Sequence, residues 1–484
     1  MLMKRMDFVC LHPDLGCSVI EGSMFKQSLI QPSLKEAAAI AIAVVALMSV
    51  AIIAWQWMPQ MVILLAIVAL VCYGRVRKVR IRDMQNHMTD AVSSGMGAIY
   101  LFFFIGLLVS ALMMSGAIPT LMSYSLGMIS PDYFYVVAFV ITAIIGMAIG
   151  SSLTTCATLG VAFIGMTDVF GANPAITAGA IVSGAFFGDK MSPISDTTGI
   201  AASIVGIDLF EHIRNMAYTT VPAFIISIGL YGYLSGHSSG SDVSAIQVYQ
   251  QQLQATGLIH GYALLPFLVL LVLALRKVDA IPTMFLTILS AIAVTYVHSS
   301  PSMAQLGQYF FSGFKLEQDL GSVNALVTRG GLESMFFVQT VVILALSLGG
   351  LLFALGVIPA LLAGMQHFLR NAARATFSVA ATAVGVNVLI GEQYLSLLLA
   401  GNTFKPVYER LHLHPRNLSR TLEDAGTVIN PLVPWSVCGV FISHTLHVSV
   451  WAYLPFAFFC YLSLLLTLAF GFSGLTISKT DGQP

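Results

Sequence analysis

The chain has 484 residues, of which 57% are hydrophobic and only 9% are charged, and its 22 basic and 22 acidic side chains give a formal net charge of zero. A mean hydropathy of +0.86 excludes an ordinary soluble globular protein, in which about a quarter of the residues are charged. The balanced charge offers no basic field for nucleic acid, so no nucleic-acid partner is expected. The composition predicts an all-α polytopic membrane protein whose surroundings are a lipid bilayer.

Apolar segments follow one another along most of the chain. Those that approach the roughly 20 residues needed to cross a bilayer are 37–57, 59–74, 98–115, 217–236, 261–275, 280–298, 335–355 and 449–472. Other apolar segments are interrupted by Gly, Pro or polar residues; these are 135–165, 179–203, 376–401 and 424–446. We predict about ten transmembrane helices together with broken helices and two re-entrant hairpins, at 135–165 and 376–401.

Basic residues set the expected orientation. The strongest basic cluster follows the second apolar segment and consists of Arg75, Arg77, Lys78, Arg80 and Arg82. The positive-inside rule places this cluster in the cytoplasm. Counting the segments onward places the basic loop 405–420 on the same side and the loop 299–333, with Glu317 and Asp319, outside. Both termini are then expected in the cytoplasm.

An internal repeat recurs at a spacing of about 240 residues. The segment Ser115-Gly116-Ala117-Ile118-Pro119-Thr120-Leu121 returns as Leu355-Gly356-Val357-Ile358-Pro359-Ala360-Leu361. In the same register, Gly150 pairs with Gly391 and Asp189 with Asn430. Equivalent loops fall on opposite sides of the membrane in the predicted topology, which indicates an inverted repeat.

The repeat divides the chain into segments with different expected roles. They are a cytoplasmic N-terminal segment (1–36), N-terminal helices with a basic cytoplasmic loop (37–97), a first transport repeat (98–236), inter-repeat loops and helices (237–334), a second transport repeat (335–472) and a cytoplasmic tail (473–484). In transporters built this way, the binding site lies near the bilayer midplane, where the broken elements of both repeats meet.

A polar run interrupts the apolar segment 179–203. It reads Gly188-Asp189-Lys190-Met191-Ser192-Pro193-Ile194-Ser195-Asp196-Thr197-Thr198. At membrane depth an ionised carboxylate costs roughly 2.5–3.5 kcal/mol on insertion scales, so it must find a partner or line a wet cavity. Pro193 removes a backbone donor, which predicts that the carbonyls of Asp189 and Lys190 are free to coordinate. Such a break favours a small hard cation, because these cations prefer oxygen ligands.

The predicted site combines this run with polar residues of the second repeat. The residues expected to bind a cation or a proton are Asp189, Ser192, Ser195, Asp196, Thr197, Thr198, Glu392 and Asp424. Those expected to support them are Ser152, Thr154, Thr155, Lys190, Gln393 and Asn430. A carboxylate that binds either Na⁺ or H⁺, but not both, couples the two ions by competition. No cofactor and no resident metal are expected beyond the transported Na⁺.

Structural alternatives stay open for several of these groups. Lys190 either pairs locally with Asp189, neutralises Asp196 or Glu392, or points toward an anionic substrate. Glu392 is alternatively a hydrogen-bonded structural acid, and Asp424 an interfacial acid near the basic loop. The hydroxyls of Thr154 and Thr155 could equally bond back to their own helix, as membrane threonines often do.

The motif as a whole resembles a known family. Residues 184–198, read as Gly-Ala-Phe-Phe-Gly-Asp-Lys-Met-Ser-Pro-Ile-Ser-Asp-Thr-Thr, are similar to the signature of the NhaC-type Na⁺/H⁺ antiporters. The later segments 208–213 and 218–222 also resemble that family. This chain continues with Thr198-Gly199-Ile200-Ala201, whereas family members often have Thr-Asn-Leu-Ala, so one amide side chain is missing from the motif.

The resemblance implies a secondary transporter of the bacterial inner membrane, in the ion-transporter fold group, assembled as a homodimer. It implies exchange of Na⁺ for H⁺ by alternating access. Since the family includes malate/lactate exchangers and members linked to amino acids, a Na⁺- or H⁺-coupled carrier of a small organic anion or amino acid is the alternative. An enzyme is not expected, because a membrane hydrolase would need a metal or an activated nucleophile and no His-Glu-x-x-His motif is present.

Overall fold

The computed structural model describes residues 28–128, 130–235, 243–316, 330–366, 369 and 371–480. In these ranges the chain is helical throughout, apart from an isolated antiparallel bridge between Leu413 and Lys479. The prediction of an all-α polytopic membrane protein is confirmed. Residues 1–27 of the predicted N-terminal segment, and Glu317 and Asp319, lie outside the described residues.

The first half of the described chain contains the helices α1 (Leu34–Ile53), α2 (Pro59–Val76), α3 (Ile81–Ser94), α4 (Met96–Met114), α5 (Ala117–Met128), α6 (Phe134–Ile149), α7 (Ser152–Gly165), α8 (Pro174–Met191), α9 (Asp196–Val205), α10 (Leu209–Ser235) and α11 (Val243–Ala255). The second half contains α12 (Gly261–Leu275), α13 (Ala280–His298), α14 (Met303–Ser312), α15 (Leu332–Ala354), α16 (Val357–Gln366), α17 (Ala372–Ile390), α18 (Gln393–Arg410), α19 (Pro415–Leu432), α20 (Val437–Leu446), α21 (Val450–Phe456) and α22 (Phe458–Ser473). Two of them contain a π-helical turn: α7 at Cys156–Gly160 and α19 at Glu423–Thr427.

Six of the described helices are long and apolar enough to cross a membrane, and three bent helix pairs bring the candidate spans to nine. The expected total of about ten therefore stays a prediction. The predicted breaks in 179–203 and 424–446 are present: α8 ends at Met191 before α9 begins at Asp196, and α19 meets α20 at a bend of 44°.

Two predicted segments differ in detail from the structure. The basic loop after Arg80 is instead the amphipathic helix α3, whose buried residues Met84, His87 and Ala91 recur at helical spacing and pack toward α15. The predicted single span 449–472 is bent by 56° between α21 and α22. Pro455 lacks an amide donor, and Ala457 leaves helical geometry with φ −79° and ψ 61°.

The same order of elements occurs twice. Helices α5 to α10 are followed, about 240 residues later, by α16 to α22 with nearly matching start residues. Each repeat turns between its two hairpin helices at a left-handed glycine, Gly150 with φ 70° and Gly391 with φ 78°. Each broken helix also begins in the same way, because Asn173 or His414 caps its first turn and a proline follows.

Contacts between the repeats are reciprocal. Helix α9 of the first repeat packs against α18 of the second, while α20, the equivalent of α9, packs against α7, the equivalent of α18. In the same manner α8 packs against α22, and α19 packs against α10. This exchange of partners is what a pseudo-two-fold axis between the halves produces. Within each repeat the hairpin tip also lies against the break of the broken helix: Gly150 is beside Ser192 and Ile194, and Gly391 is beside Ser436.

The closest helix packing in the first repeat is between α6 and α8, and it depends on glycines. A Cβ added at Gly184 would lie 2.0 Å from Thr142 Oγ1 and 2.3 Å from the carbonyl oxygen of Phe139. One added at Gly188 would lie 2.4 Å from the amide nitrogen of Met147. The missing side chains therefore allow the two backbones to touch, and this contact fixes the end of α8 beside the turn at Gly150.

Candidate functional site

Asp189 lies at the point where the first hairpin meets the first break. It is in the last turn of α8, and its Oδ2 accepts a hydrogen bond of 3.2 Å from the backbone amide of Ser152, at the start of α7. The hydroxyls of Ser152 and Ser195 also lie beside the carboxylate. The side chain is only 3% exposed, and its Oδ1 is a buried acceptor without a partner among the described residues. This carboxylate thus retains one oxygen for a further ligand.

Hydroxyl groups form the hydrogen bonds at the break between α8 and α9. The Thr198 hydroxyl donates to the carbonyl oxygens of Lys190, at 3.2 Å, and Asp189, at 3.5 Å. The hydroxyls of Ser195 and Thr197 are 3.0 Å apart. The expectation that Pro193 leaves both carbonyls free is therefore wrong in this conformation, because the Thr198 side chain replaces the missing backbone donors. Ser192, Ser195, Thr197 and Thr198 are all buried around Asp189 or its carbonyl.

Asp196 is the exposed acid of the site and links the two repeats. It begins α9, where its Oδ1 accepts from the amide of Thr197 at 3.0 Å. Its Oδ2 accepts from the Tyr394 hydroxyl of the second hairpin at 2.5 Å. Tyr394 was missed as a site residue, since a tyrosine in an apolar helix carries no distinctive sequence signal. The contact joins the second hairpin to the first broken helix.

The second hairpin tip places Glu392 and Gln393 nearby. Glu392 Oε2 caps α18 by accepting from the amide of Leu395 at 2.8 Å, as expected for a structural acid, while its charge also acts on Asp196. Gln393 Oε1 accepts from the Cys438 thiol at 3.7 Å. Both side chains are 6% exposed. One carboxylate oxygen of Glu392 is committed to the helix cap.

Lys190 forms a buried ion pair with Asp424, on α19 of the other repeat. Both side chains are fully buried, and the Asp424 carboxylate also accepts from the hydroxyls of Thr219 and Thr467. The predicted pairing of Lys190 with Asp189, Asp196 or Glu392 is wrong, and so is the alternative that Asp424 is interfacial. The lysine reaches Asp424 from the last turn of α8, and α22, which carries Thr467, packs against both α8 and the π turn of α19.

The remaining supporting residues are already hydrogen bonded. Asn430, the repeat equivalent of Asp189, donates to Asn387 Oδ1 at 2.8 Å and accepts from the Cys438 amide at 3.1 Å. The Thr155 hydroxyl donates to the Ser151 carbonyl at 2.8 Å, and that of Thr154 to the Ser151 hydroxyl at 2.9 Å. Both threonines thus bond within their own helix turn, as the structural alternative expected.

Glu423 is a buried acid of this region that sequence reasoning missed. It precedes Asp424 on the π turn of α19 and is fully buried. The sequence analysis singled out its neighbour Asp424 and did not consider Glu423, although the two acids stand together next to an apolar segment. The structure places the charges of Asp189, Lys190 and Asp424 close enough to act on it.

Comparison with known proteins agrees with the motif. The Na⁺/H⁺ antiporter family model matches residues 22–198 and 184–475. The Na⁺/H⁺ antiporter NhaC of Alkalihalophilus pseudofirmus is 40% identical over 87% of this chain and 91% of its own length. NhaC of Bacillus subtilis is 39% identical over 81% and 87%, and the malate-2H⁺/Na⁺-lactate antiporter of the same species is 32% identical over 83% and 86%. The match of the family model over most of the chain, with a buried acid at the centre of its motif, shows that this chain belongs to the Na⁺/H⁺ antiporter family.

Proposed function

We propose that the protein exchanges Na⁺ for H⁺ across the bacterial inner membrane by alternating access. The observation that carries this proposal is the Asp189 carboxylate, which is buried at the junction of hairpin and break with one oxygen unpartnered. A cation or a proton can neutralise this charge, but not both at once, so each displaces the other. Competition of this kind is sufficient to couple two opposing ion movements.

The proposed Na⁺ site centres on Asp189 and extends toward Asp196. Hydroxyl oxygens of Ser152, Ser192 and Ser195 supply neutral oxygen ligands, which suit a hard monovalent cation. Glu392 contributes its second oxygen from the facing hairpin. Thr197 and Thr198 hold the break, and Asp424 acts through its pair with Lys190.

Orientation and assembly form part of the proposal. Residues 476–480 run against the turn before α19: Leu413 bridges Lys479, and the Arg416 guanidinium donates to the Ser478 hydroxyl at 3.0 Å. Residues 476–480 therefore lie on the same side as the basic loop 405–420, which supports the proposal that this segment is cytoplasmic. A cytoplasmic N-terminus and a homodimer are proposed on the family resemblance.

The alternative is a cation-coupled carrier of a small organic anion or amino acid. It is favoured by the relative named for malate and lactate and by the arginine/ornithine antiporter of Halobacterium salinarum, which is 33% identical over 83% of this chain and 84% of its own length. However, Lys190 and Asn430 already bond to other side chains, and Gln393 bonds to Cys438. These three side chains are the polar groups that an organic anion would be expected to contact, so their engagement supports the simple antiporter.

The test is dissipation of a pH gradient in proteoliposomes on addition of Na⁺, Li⁺ or K⁺ without organic solute. Asp189→Asn is expected to weaken apparent Na⁺ affinity at least about tenfold, since a hydrogen bond or contact to an ionised group contributes about 1.5–3 kcal/mol. Asp196→Asn is expected to have a smaller effect, because this exposed carboxylate is screened. The matched control is Asp279→Asn, at an exposed position before α13.

Unchanged Na⁺-dependent proton movement in Asp189→Asn would contradict the site. A wild-type protein that responds only after malate, lactate or an amino acid is supplied would instead establish the organic-solute alternative.

A further inference from the structure

Glu423 is a carboxyl group buried without hydrogen bonds. Its side chain is fully buried, and neither Oε1 nor Oε2 has a hydrogen-bond partner among the described residues. Burying an ionised carboxylate in this way costs several kcal/mol, whereas the protonated acid avoids most of that penalty. In this conformation the surroundings therefore favour the neutral acid.

The backbone at Glu423 is itself unusual. Residues Glu423–Thr427 form a π-helical turn, in which the amide of Val428 donates to the Glu423 carbonyl at 3.3 Å. The Asn387 amide group of α17 donates to the carbonyl of Gly426 at 2.6 Å and so holds the turn open. Such π turns occur frequently at functional sites, because the extra residue redirects neighbouring side chains. Here the turn begins at Glu423, whose side chain is fully buried.

The charged groups around Glu423 do not neutralise it. Glu423 interacts electrostatically with Asp189 and Lys190 on α8 and with Asp424 on its own turn. Lys190 is already bound to Asp424. The Thr427 hydroxyl lies beside the Glu423 carboxyl and has no other partner among the described residues, but a neutral hydroxyl does not cancel a carboxylate charge.

Other titratable groups are on the elements that pack against this turn. They are Arg420 on α19, Tyr408 and Glu392 on α18, and Asp196 on α9. The Arg420 guanidinium interacts electrostatically with Asp424 and Tyr408 and donates a hydrogen bond to the Thr476 hydroxyl. The carboxylates of Glu392 and Asp196 repel each other. None of them forms an ion pair with Glu423 among the described residues, so burial favours its neutral form and the negative charge at Asp189 acts in the same direction.

We infer that Glu423 carries the transported proton, so that the mutual exclusion of Na⁺ and H⁺ proposed at Asp189 acts between two carboxyl groups, with Asp189 binding Na⁺ and Glu423 binding the proton. With Asp189 ionised and empty, a second negative charge nearby is unfavourable, and Glu423 holds its proton. Sodium bound at Asp189 removes that repulsion, so Glu423 releases the proton to water on the side to which the site is open. When Na⁺ leaves on the other side, Glu423 takes up a proton from water there. This inference rests on the proposed antiport.

The experiment compares two activities of Glu423→Gln in proteoliposomes. Exchange of ²²Na⁺ for Na⁺ at equal pH requires no proton movement, whereas Na⁺-driven pH-gradient dissipation does. The glutamine side chain matches the neutral acid in size and cannot release a proton. We expect Na⁺-driven proton movement to fall at least about tenfold while Na⁺/Na⁺ exchange stays within about twofold of wild type. Glu409→Gln, at an exposed position of α18, is the matched control.

Each other outcome has a definite meaning. Wild-type proton movement in Glu423→Gln overturns the inference, and so does equal loss of both activities in a folded, monodisperse variant, which indicates a structural role. If Glu423→Gln does not fold, Glu423→Asp, which retains an acid, must keep proton movement with a shifted pH profile; an unshifted profile overturns the inference. A wild-type protein that exchanges neither Na⁺ nor H⁺ instead overturns the proposed function.

Discussion

Lys190→Met is expected to lower the free energy of unfolding by about 3–5 kcal/mol, because it leaves Asp424 as an unpaired charge in the interior. Both partners are fully buried, and the hydroxyls that also contact Asp424 can solvate only part of its charge. The loss should be seen as a lower apparent melting temperature of the detergent-purified protein, followed by tryptophan fluorescence. Transport should fall with it, since α8 carries Lys190 directly after Asp189.

A double variant separates pairing from packing. Lys190→Met combined with Asp424→Leu replaces the ion pair with apolar side chains, and such replacements are often neutral or stabilising. We therefore expect the double variant to melt close to the wild-type temperature. Lys35→Met, at an exposed position of α1, is the control for a simple loss of charge. A single variant as stable as wild type, or a double variant less stable than Lys190→Met, would disprove the pairing argument.

Gly188→Ala is expected to destabilise the protein by about 1–3 kcal/mol, the usual cost of forcing an added methyl group into a packed interior. The new Cβ would lie 2.4 Å from the Met147 amide nitrogen and 2.5 Å from the Gly146 carbonyl carbon. Both are backbone atoms, so α6 and α8 must separate. That separation displaces Asp189 from the turn at Gly150, so Na⁺-dependent transport should be lost even in protein that remains folded.

The comparison variant is Gly199→Ala in α9. Nothing lies within 4 Å of a Cβ at Gly199. Alanine is favoured over glycine inside a helix by about 1 kcal/mol. Gly199→Ala should therefore melt at or above the wild-type temperature. Thermal unfolding and transport measured side by side test both variants, and similar behaviour of the two would show that close packing of α6 and α8 is unimportant.

Much of the architecture could be predicted from local sequence signals. Pro193 inside an apolar segment predicted the first break, and a spacing of about 240 residues predicted matching turns at Gly150 and Gly391. These features depend on backbone chemistry that a single residue determines. The acid Asp189 was identified for the same reason, since a carboxylate in an apolar segment needs a function or a partner.

The partners of the site residues could not be predicted in this way. Lys190 pairs with Asp424 across 234 positions of sequence. Helical periodicity shows which residues share a face, but it does not give the rotation of a broken helix about its axis, which selects the partner. The π turn Glu423–Thr427 shifts the later residues of α19 around the helix, so a regular helical pattern does not predict which of them are buried. Tyr394 reaches Asp196 only because the repeats exchange partners.

The equivalent helices of the two repeats are packed together by different chemistry. In the first repeat, glycines bring the backbones of α6 and α8 into direct contact. At the equivalent place in the second repeat, Asn387 stands where Gly146 does, and its amide group bonds the π turn. Interlocked backbones cannot slide without collision, whereas an amide group can exchange one carbonyl for the next. We therefore expect the contact between α6 and α8 to be more rigid than the equivalent contact in the second repeat.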